Sequence, residues 1–212
     1  MENEGPIDSL KSLQAICEPD ERQRFFVGSI QDYHEELSKI VLNDTVPAGS
    51  RQLFETAKNL SLYSWFVYRF HPIAELTGWL ALENALLEKA KREGELASDT
   101  ERSPALRRLL AMACKHSWLQ EDRIADRREA ARARVQQRKV TEAIVKNVDW
   151  VEDVTETEIS EEAVNMRLLP QICRAASELR NHLAHGGQML HPNSRATLRV
   201  TADLINQLFP NR

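Results

Sequence analysis

Apolar residues recur at three- and four-residue spacing along most of this sequence, which is the period of an amphipathic α-helix. Between Ser50 and Phe70 the positions on one such stripe are Leu53, Ala57, Leu60, Ser64 and Val67. Glycine and proline, the main turn-forming residues, together number 15 of 212, about 7% against roughly 12% in an average protein. The sequence therefore predicts an all-α fold, a bundle of helices, and disfavours an all-β sandwich.

Capping and turn-forming residues divide the chain into predicted helices. Ser50 is the expected N-cap of a helix that reaches about Phe70, and Pro72 interrupts it. The next helix ends at Gly94, and Ser103 with Pro104 at the first helical position opens another. Further helices are expected at about 121–146, from the turn holding Pro170 to Gly186, and from Asn193 or Ser194 through Leu208. Two more are expected before residue 45, split near Pro19 and Asp20.

The chain of 212 residues is long enough for one domain with its own core. We expect a single helical domain over 1–212, in which 46–212 form the core and 1–45 form a helical extension. The longest uncharged stretch in the middle of the chain, between Lys58 and Arg69, is about half the length of a membrane-spanning helix. The acidic start of the chain is unlike a secretory signal, so we expect a cytoplasmic protein with no membrane partner. The three cysteines, Cys17, Cys114 and Cys173, are far apart in sequence and are expected to be small core residues.

Charge is concentrated in two adjacent segments. From Arg123 to Lys139 there are seven basic residues and two acidic ones, whereas from Asp149 to Glu162 there are seven acidic residues and no basic one. The acidic segment is expected to be coil. Four arginines share one face of the basic helix and could follow RNA phosphates: Arg123, Arg127, Arg134 and Arg138. Equally, the basic helix could be a solvated surface neutralised by the acidic segment.

The helix expected at 170–185 carries two stripes of opposite character. The apolar stripe is Ile172, Ala176, Leu179 and Leu183, and the polar stripe at the same offsets is Arg174, Glu178, Asn181 and His185. Asn181 and His185 are one turn apart, so the amide can orient the imidazole. Arg180 lies on the shoulder between the stripes, and its long side chain can lean toward the end of the helix.

Arginine and histidine together suit phosphodiester chemistry. The guanidinium of Arg180 matches phosphate oxygens, and the imidazole of His185 can exchange a proton near neutral pH. RNA supplies its own nucleophile in the 2′-OH, so cleavage requires proton transfer and charge stabilisation but no metal or cofactor. One histidine transfers one proton at a time, and a second histidine from a symmetry mate would complete the pair. This chemistry favours a homodimer with the motif at its interface.

The run from Glu178 to Gly186, ELRNHLAHG, resembles the signature of the HEPN superfamily (higher eukaryotes and prokaryotes nucleotide-binding). That signature is an arginine, a polar residue directly after it, and a histidine near a helix end. Four to six residues separate the arginine from the histidine. The stretch from Trp79 to Leu87 is similar to the helix that packs against the motif in such domains. The resemblance implies an up-and-down helical bundle, dimerisation that joins two motifs, and metal-independent endoribonuclease activity. It also implies a role as a toxin or antiphage defence effector, with an antitoxin or regulatory protein as a partner.

These considerations assign candidate roles to five residues. His185 is the general acid or base, Arg180 binds the scissile phosphate, and Asn181 orients His185. Glu83 either holds the Arg180 guanidinium in place or forms an ion pair that is only structural. His182 is either a second proton carrier or, as we favour, an interface residue.

His182, His185, His191 and Cys173 lack the spacing of a zinc site, so no metal is expected. The alternative to an enzyme is a catalytically silent HEPN-like module that binds RNA, a nucleotide or a protein. A regulatory subunit whose motif is covered by a partner is a third possibility.

Overall fold

A computed structural model describes residues 8–25, 28–97, 104–124, 127–146, 148, 153–184 and 192–211. Within these ranges all regular structure is helical, which confirms the all-α class. The α-helices are α1 (Ile30–Ser38), α2 (Ala48–Tyr63), α3 (Phe70–Arg92), α4 (Leu106–Lys115), α5 (Arg127–Lys146), α6 (Glu156–Asn165), α7 (Leu168–Ala184) and α8 (Ser194–Leu208). Short 3₁₀ helices cover Glu21–Phe25 and Glu121–Arg123. No described helix is long and apolar enough to cross a membrane.

Helix α3 lies at the centre of the bundle and packs against α2, α4, α7 and α8. Large side chains such as Trp79, Leu82 and Leu86 are buried along it, and the buried Ala81 and Ala85 between them let neighbouring helices approach. At Gly78 a Cβ atom would lie only 3.2 Å from Leu198 Cδ2, so α8 approaches the backbone of α3 closely here. The apolar residues that predicted separate stripes thus form one core around α3.

A buried polar network fixes the start of α8 to the corner between α2 and α3. The imidazole Nδ1 of His71 is 2.7 Å from Ser194 Oγ, which is also 2.7 Å from Ser61 Oγ. One turn along α8, the Thr197 hydroxyl donates to Glu75 Oε2 at 2.9 Å. Because buried polar groups require partners, these contacts specify where the last helix docks.

The boundaries of α2 and α3 differ from the expectation. Helix α2 begins at Ala48, and Ser50 is a buried residue within it whose hydroxyl donates to Asn84 Oδ1. The chain turns at 64–69, earlier than expected, and Pro72 lies in the first turn of α3, where its missing N–H breaks no helical hydrogen bond. The predicted end of this helix is confirmed by Gly94, with φ of 76° and hydrogen bonds that close a Schellman motif.

Two other sequence expectations need correction. Helix α4 begins at Leu106, so Pro104 precedes the helix rather than opening it, and Ser103 lies outside the described residues. Of the two helices expected before residue 45, the described part contains one α-helix, α1, and one 3₁₀ helix. This extension still joins the bundle, because Leu37 and Ile40 are part of the main core.

The acidic segment, expected to be coil, contains helix α6. Thr155 is its N-cap: the Thr155 hydroxyl accepts from Glu158 N–H, and the Glu158 carboxylate accepts from Thr155 N–H. This capping box was present in the sequence as Thr-x-x-Glu, and the high density of charge concealed it. Helix α6 packs against α5 over a second, smaller core whose buried members are Ala131, Ile159 and Met166.

The helix cap makes α6 sensitive to acid. The pKa of Glu158 is lowered from an ordinary value of 4.5 to about 2, because the Thr155 N–H, the Lys139 ammonium and the Thr155 hydroxyl all donate to its carboxylate. A carboxyl whose pKa is lowered on folding stabilises the folded state above its unfolded pKa. That contribution is therefore complete above about pH 4.5 and is lost as the pH falls toward 2.

We expect Glu158→Gln to lower the Tm at neutral pH and to have a diminishing effect as the pH falls below about 4.5. Thermal unfolding of both proteins between pH 7 and 2.5 measures this difference. Glu161→Gln, on the exposed side of the same helix, is the matched control and should show no such convergence. A Tm difference that did not change with pH would contradict the assignment.

Candidate functional site

A cleft of about 890 Å³ opens where α3, α4 and α7 meet. Helix α3 contributes Glu83, and α4 and α7 supply most of the two facing walls. The polar and thiol side chains that line the cleft are Glu83, Arg107, Cys114, Cys173, Arg174, Ser177, Glu178, Arg180 and Asn181. Two residues of the motif, Arg180 and Asn181, therefore lie in one concave surface with Glu83.

The expected contact between Glu83 and Arg180 is present. Arg180 Nη2 lies 3.3 Å from Glu83 Oε2, and the two side chains are 30% and 16% exposed. Helix α3 packs against α7, so the carboxylate of Glu83 on α3 contacts the guanidinium of Arg180 on α7. The ion pair orients Arg180 along the cleft wall.

One polar atom of each residue in the ion pair has no hydrogen-bond partner among the described residues. Arg180 Nε and Glu83 Oε2 are both shielded from solvent, and neither makes a hydrogen bond within the described part of the chain. A guanidinium has five N–H donors, so Arg180 can bind an acceptor in the cleft while it stays close to Glu83. A buried donor without a partner is costly in a folded protein.

The remaining motif residues lie at or beyond the end of α7. Asn181 is exposed at the cleft, whereas His182 is exposed but does not line the cleft. His185 and His191 lie outside the described residues, so the expected contact between Asn181 and His185 is not described either. Of the candidate site residues, Arg180, Asn181 and Glu83 are therefore the ones that line the cleft.

The charges along the cleft are largely paired. Arg174 Nε lies 3.2 Å from Glu178 Oε1 on the same helix, and Arg180 faces Glu83. Arg107 on α4 is exposed and adds one positive charge to these two neutral pairs. The described lining thus has a small positive excess.

Basic side chains of helix α5 contact residues of helix α6. Arg134 Nη1 and Arg138 Nη1 lie 3.6 and 3.1 Å from the carboxylate of Glu162. Arg127 donates to the main-chain carbonyls of Val164 and Met166, while Arg123 is exposed. For Arg134 and Arg138 the geometry favours the neutralised-surface interpretation over RNA contact, whereas Arg127 is held by uncharged carbonyl groups, and RNA binding by this helix stays a prediction.

Two cysteines meet in the cleft, which sequence reasoning missed. Cys114 Sγ on α4 lies 3.8 Å from Cys173 Sγ on α7, and both are free thiols. Burial, and next the neighbouring Cys114, raise the pKa of the Cys173 thiol to about 12. The expectation of isolated core cysteines is wrong, since Cys17 and Cys114 are exposed. A separation of 59 residues carries no signal of proximity, so only the packing of α4 on α7 reveals the pair.

Within the described ranges no three histidine, cysteine, aspartate or glutamate side chains converge as they would around a metal ion. Neither a protein-family model, nor a curated protein, nor a solved structure matches this chain.

We expect Glu83 and Arg180 to be energetically coupled. In a double-mutant cycle of Glu83→Ala and Arg180→Ala, the coupling free energy of unfolding should be about 1 kcal/mol, because the pair is largely shielded from water. Urea unfolding of the four proteins measures it. The exposed pair Arg174 and Glu178 is the matched control, with an expected coupling of at most about 0.5 kcal/mol. Equal coupling in the two cycles would show that the position of Glu83 has no special role.

Proposed function

We propose that this protein is a HEPN-like, metal-independent endoribonuclease. The observation that carries the proposal is the Arg180 guanidinium, which is held beside Glu83 in a cleft and has a shielded Nε donor without a hydrogen-bond partner in the described part of the chain. Asn181, the next residue of the motif, is exposed in the same cleft. The Arg180 side chain is 30% exposed, so its other N–H groups can donate to an RNA phosphate in the cleft.

In the proposed reaction the 2′-OH of RNA attacks the adjacent phosphate, and the 5′-oxygen of the next nucleotide leaves. Arg180 binds the phosphate and stabilises the charge that develops on its oxygens. His185 transfers a proton to or from the reacting oxygens, and Asn181 orients the imidazole. The products are a 2′,3′-cyclic phosphate and a 5′-OH. Glu83 positions Arg180 and does not touch the substrate.

The proposal includes an up-and-down bundle that forms a homodimer, because each motif offers one candidate proton carrier at His185. A twofold axis near the end of α7 would bring two copies of the motif together, with the exposed His182 at the interface or as a second proton carrier. The resemblance of the motif also suggests a toxin or antiphage effector. A protein that covers the cleft would then serve as antitoxin or regulator.

We expect the purified protein to cut RNA in the presence of EDTA. His185→Ala and Arg180→Ala should each reduce cleavage by about 10²-fold or more, because they remove a proton carrier and a phosphate ligand. His34→Ala and Arg51→Ala are matched controls, since both side chains are exposed and do not line the cleft. Gel analysis of total RNA and mass spectrometry of the termini measure the outcome, after circular dichroism has verified folding.

Two results would contradict this function. Equal cleavage of DNA with the same sequence would exclude attack by a 2′-OH. If no protein in the series cuts RNA, the silent binding module becomes the better interpretation, and Arg180→Ala should then weaken binding instead.

We expect a dimer in solution. Sedimentation velocity should give a mass about twice the 24.3 kDa of one chain. Mixing His185→Ala subunits with wild-type subunits should lower the activity per wild-type subunit, because a mixed dimer has one intact motif instead of two. A monomer with full ribonuclease activity would overturn the dimeric part of the proposal.

A further inference from the structure

The thiols of Cys114 and Cys173 face each other across the packed helices α4 and α7. Their sulfur atoms are 3.8 Å apart, and a disulfide requires about 2.05 Å, so a small approach of the two side chains would join them. We propose that these two cysteines form a reversible, peroxide-driven disulfide that fastens α4 to α7 along the wall of the cleft. The inference concerns a modification site and is independent of ribonuclease activity.

The two thiols have different environments, which assigns them different parts in the reaction. Cys114 is exposed and accessible to a small oxidant, whereas Cys173 is partly buried beside it. Burial also raises the pKa of Cys173, so this sulfur is a protonated thiol at neutral pH and a poor first target for peroxide. Cys114 is therefore the sulfur that reacts first.

The reaction balances with hydrogen peroxide as the only oxidant. The Cys114 sulfur attacks one peroxide oxygen, the O–O bond breaks, and a sulfenic acid and one water form. The Cys173 sulfur then attacks the Cys114 sulfur, the S–O bond breaks, and the hydroxyl leaves as a second water with the thiol proton. Two electrons leave the thiol pair and reduce the peroxide. A thiol reductant such as dithiothreitol reverses the change.

A disulfide at this position restrains the relative motion of the two helices that line the cleft. Cys173 lies on α7 two turns before Arg180, and both residues line the cleft with Cys114. Helices α4 and α7 are joined through a long intervening segment that includes α5 and α6, so a covalent bond between them removes a relative motion that packing alone restrains. It also closes a loop of about 60 residues, which reduces the entropy of the unfolded chain.

The test uses the full chain treated with hydrogen peroxide and then with iodoacetamide. We expect a mass loss of about 2 Da before alkylation, alkylation of Cys17 but not of Cys114 or Cys173, a peptide linking Cys114 with Cys173, and a Tm higher by about 5 °C or more that returns on reduction. Hydrogen exchange in α4 and α7 should slow in the oxidised protein. Cys17→Ser, which removes the other exposed thiol, should behave as the parent does.

Cys114→Ser and Cys173→Ser, in contrast, should lose the mass change and the Tm shift. Oxidation of Cys114 to sulfinic acid without a linked peptide would overturn the proposal, and so would disulfides formed only through Cys17. None of these readouts uses RNA. Failure of the thiol pair therefore leaves the ribonuclease proposal intact, and absence of RNA cleavage leaves the disulfide proposal intact.

Discussion

The burial of helix α3 is the constraint on which the rest of this structure depends. A helix that contacts neighbours on most of its circumference needs several partner helices, and here α2, α4, α7 and α8 provide them. Apolar burial drives this assembly, at about 25 cal/mol per Å² of apolar surface removed from water. Buried polar groups of α3 are costly without partners on other helices, because water cannot reach them. Glu75 accepts a hydrogen bond from Thr197 on α8, and Glu83 faces α7.

The candidate site follows from that constraint. Glu83 meets Arg180 because α7 is packed closely on α3, and the guanidinium is then held along the wall of a cleft instead of extending freely into solvent. The contact is close enough for charge attraction yet leaves Arg180 Nε without a hydrogen bond among the described residues. Because the guanidinium is held by Glu83, its exposed N–H groups have a fixed position at the cleft wall.

The charged residues of α5 and α6 largely neutralise one another, whereas the charged residues of the cleft leave a small positive excess. The arginines of α5 and the glutamates of α6 contact one another over a small core of their own, so most of the local positive charge is neutralised within the pair. The cleft keeps a modest positive excess close to α4 and α7, and it holds the two facing thiols as well. The Glu83–Arg180 ion pair and the two thiols thus lie in one cleft, while the more strongly charged helices α5 and α6 pack over a separate small core.

Much of the architecture could be read from the sequence, because helix period, caps and breakers are local properties. The all-α class, the position of Gly94 and the course of α7 and α8 were all predictable in this way. The placement of Glu83 on an apolar stripe also predicted that its carboxylate needs a partner, with Arg180 as one alternative, and the structure gives Arg180. Helix α6 differs from the predicted coil, because its Thr155–Glu158 capping box is a local signal that starts a helix within the acidic segment.

Tertiary structure alone decided which distant residues meet. Cys114 and Cys173 are 59 residues apart, and nothing local to either one indicates that their sulfur atoms face each other. The contacts of Arg134 and Arg138 with Glu162 likewise depend on how α6 folds back onto α5. The sequence by itself determined which helices form, because that choice rests on interactions within a few residues. Which side chains share a cleft depended on the packing of helices around α3, and that packing is a property of the whole chain.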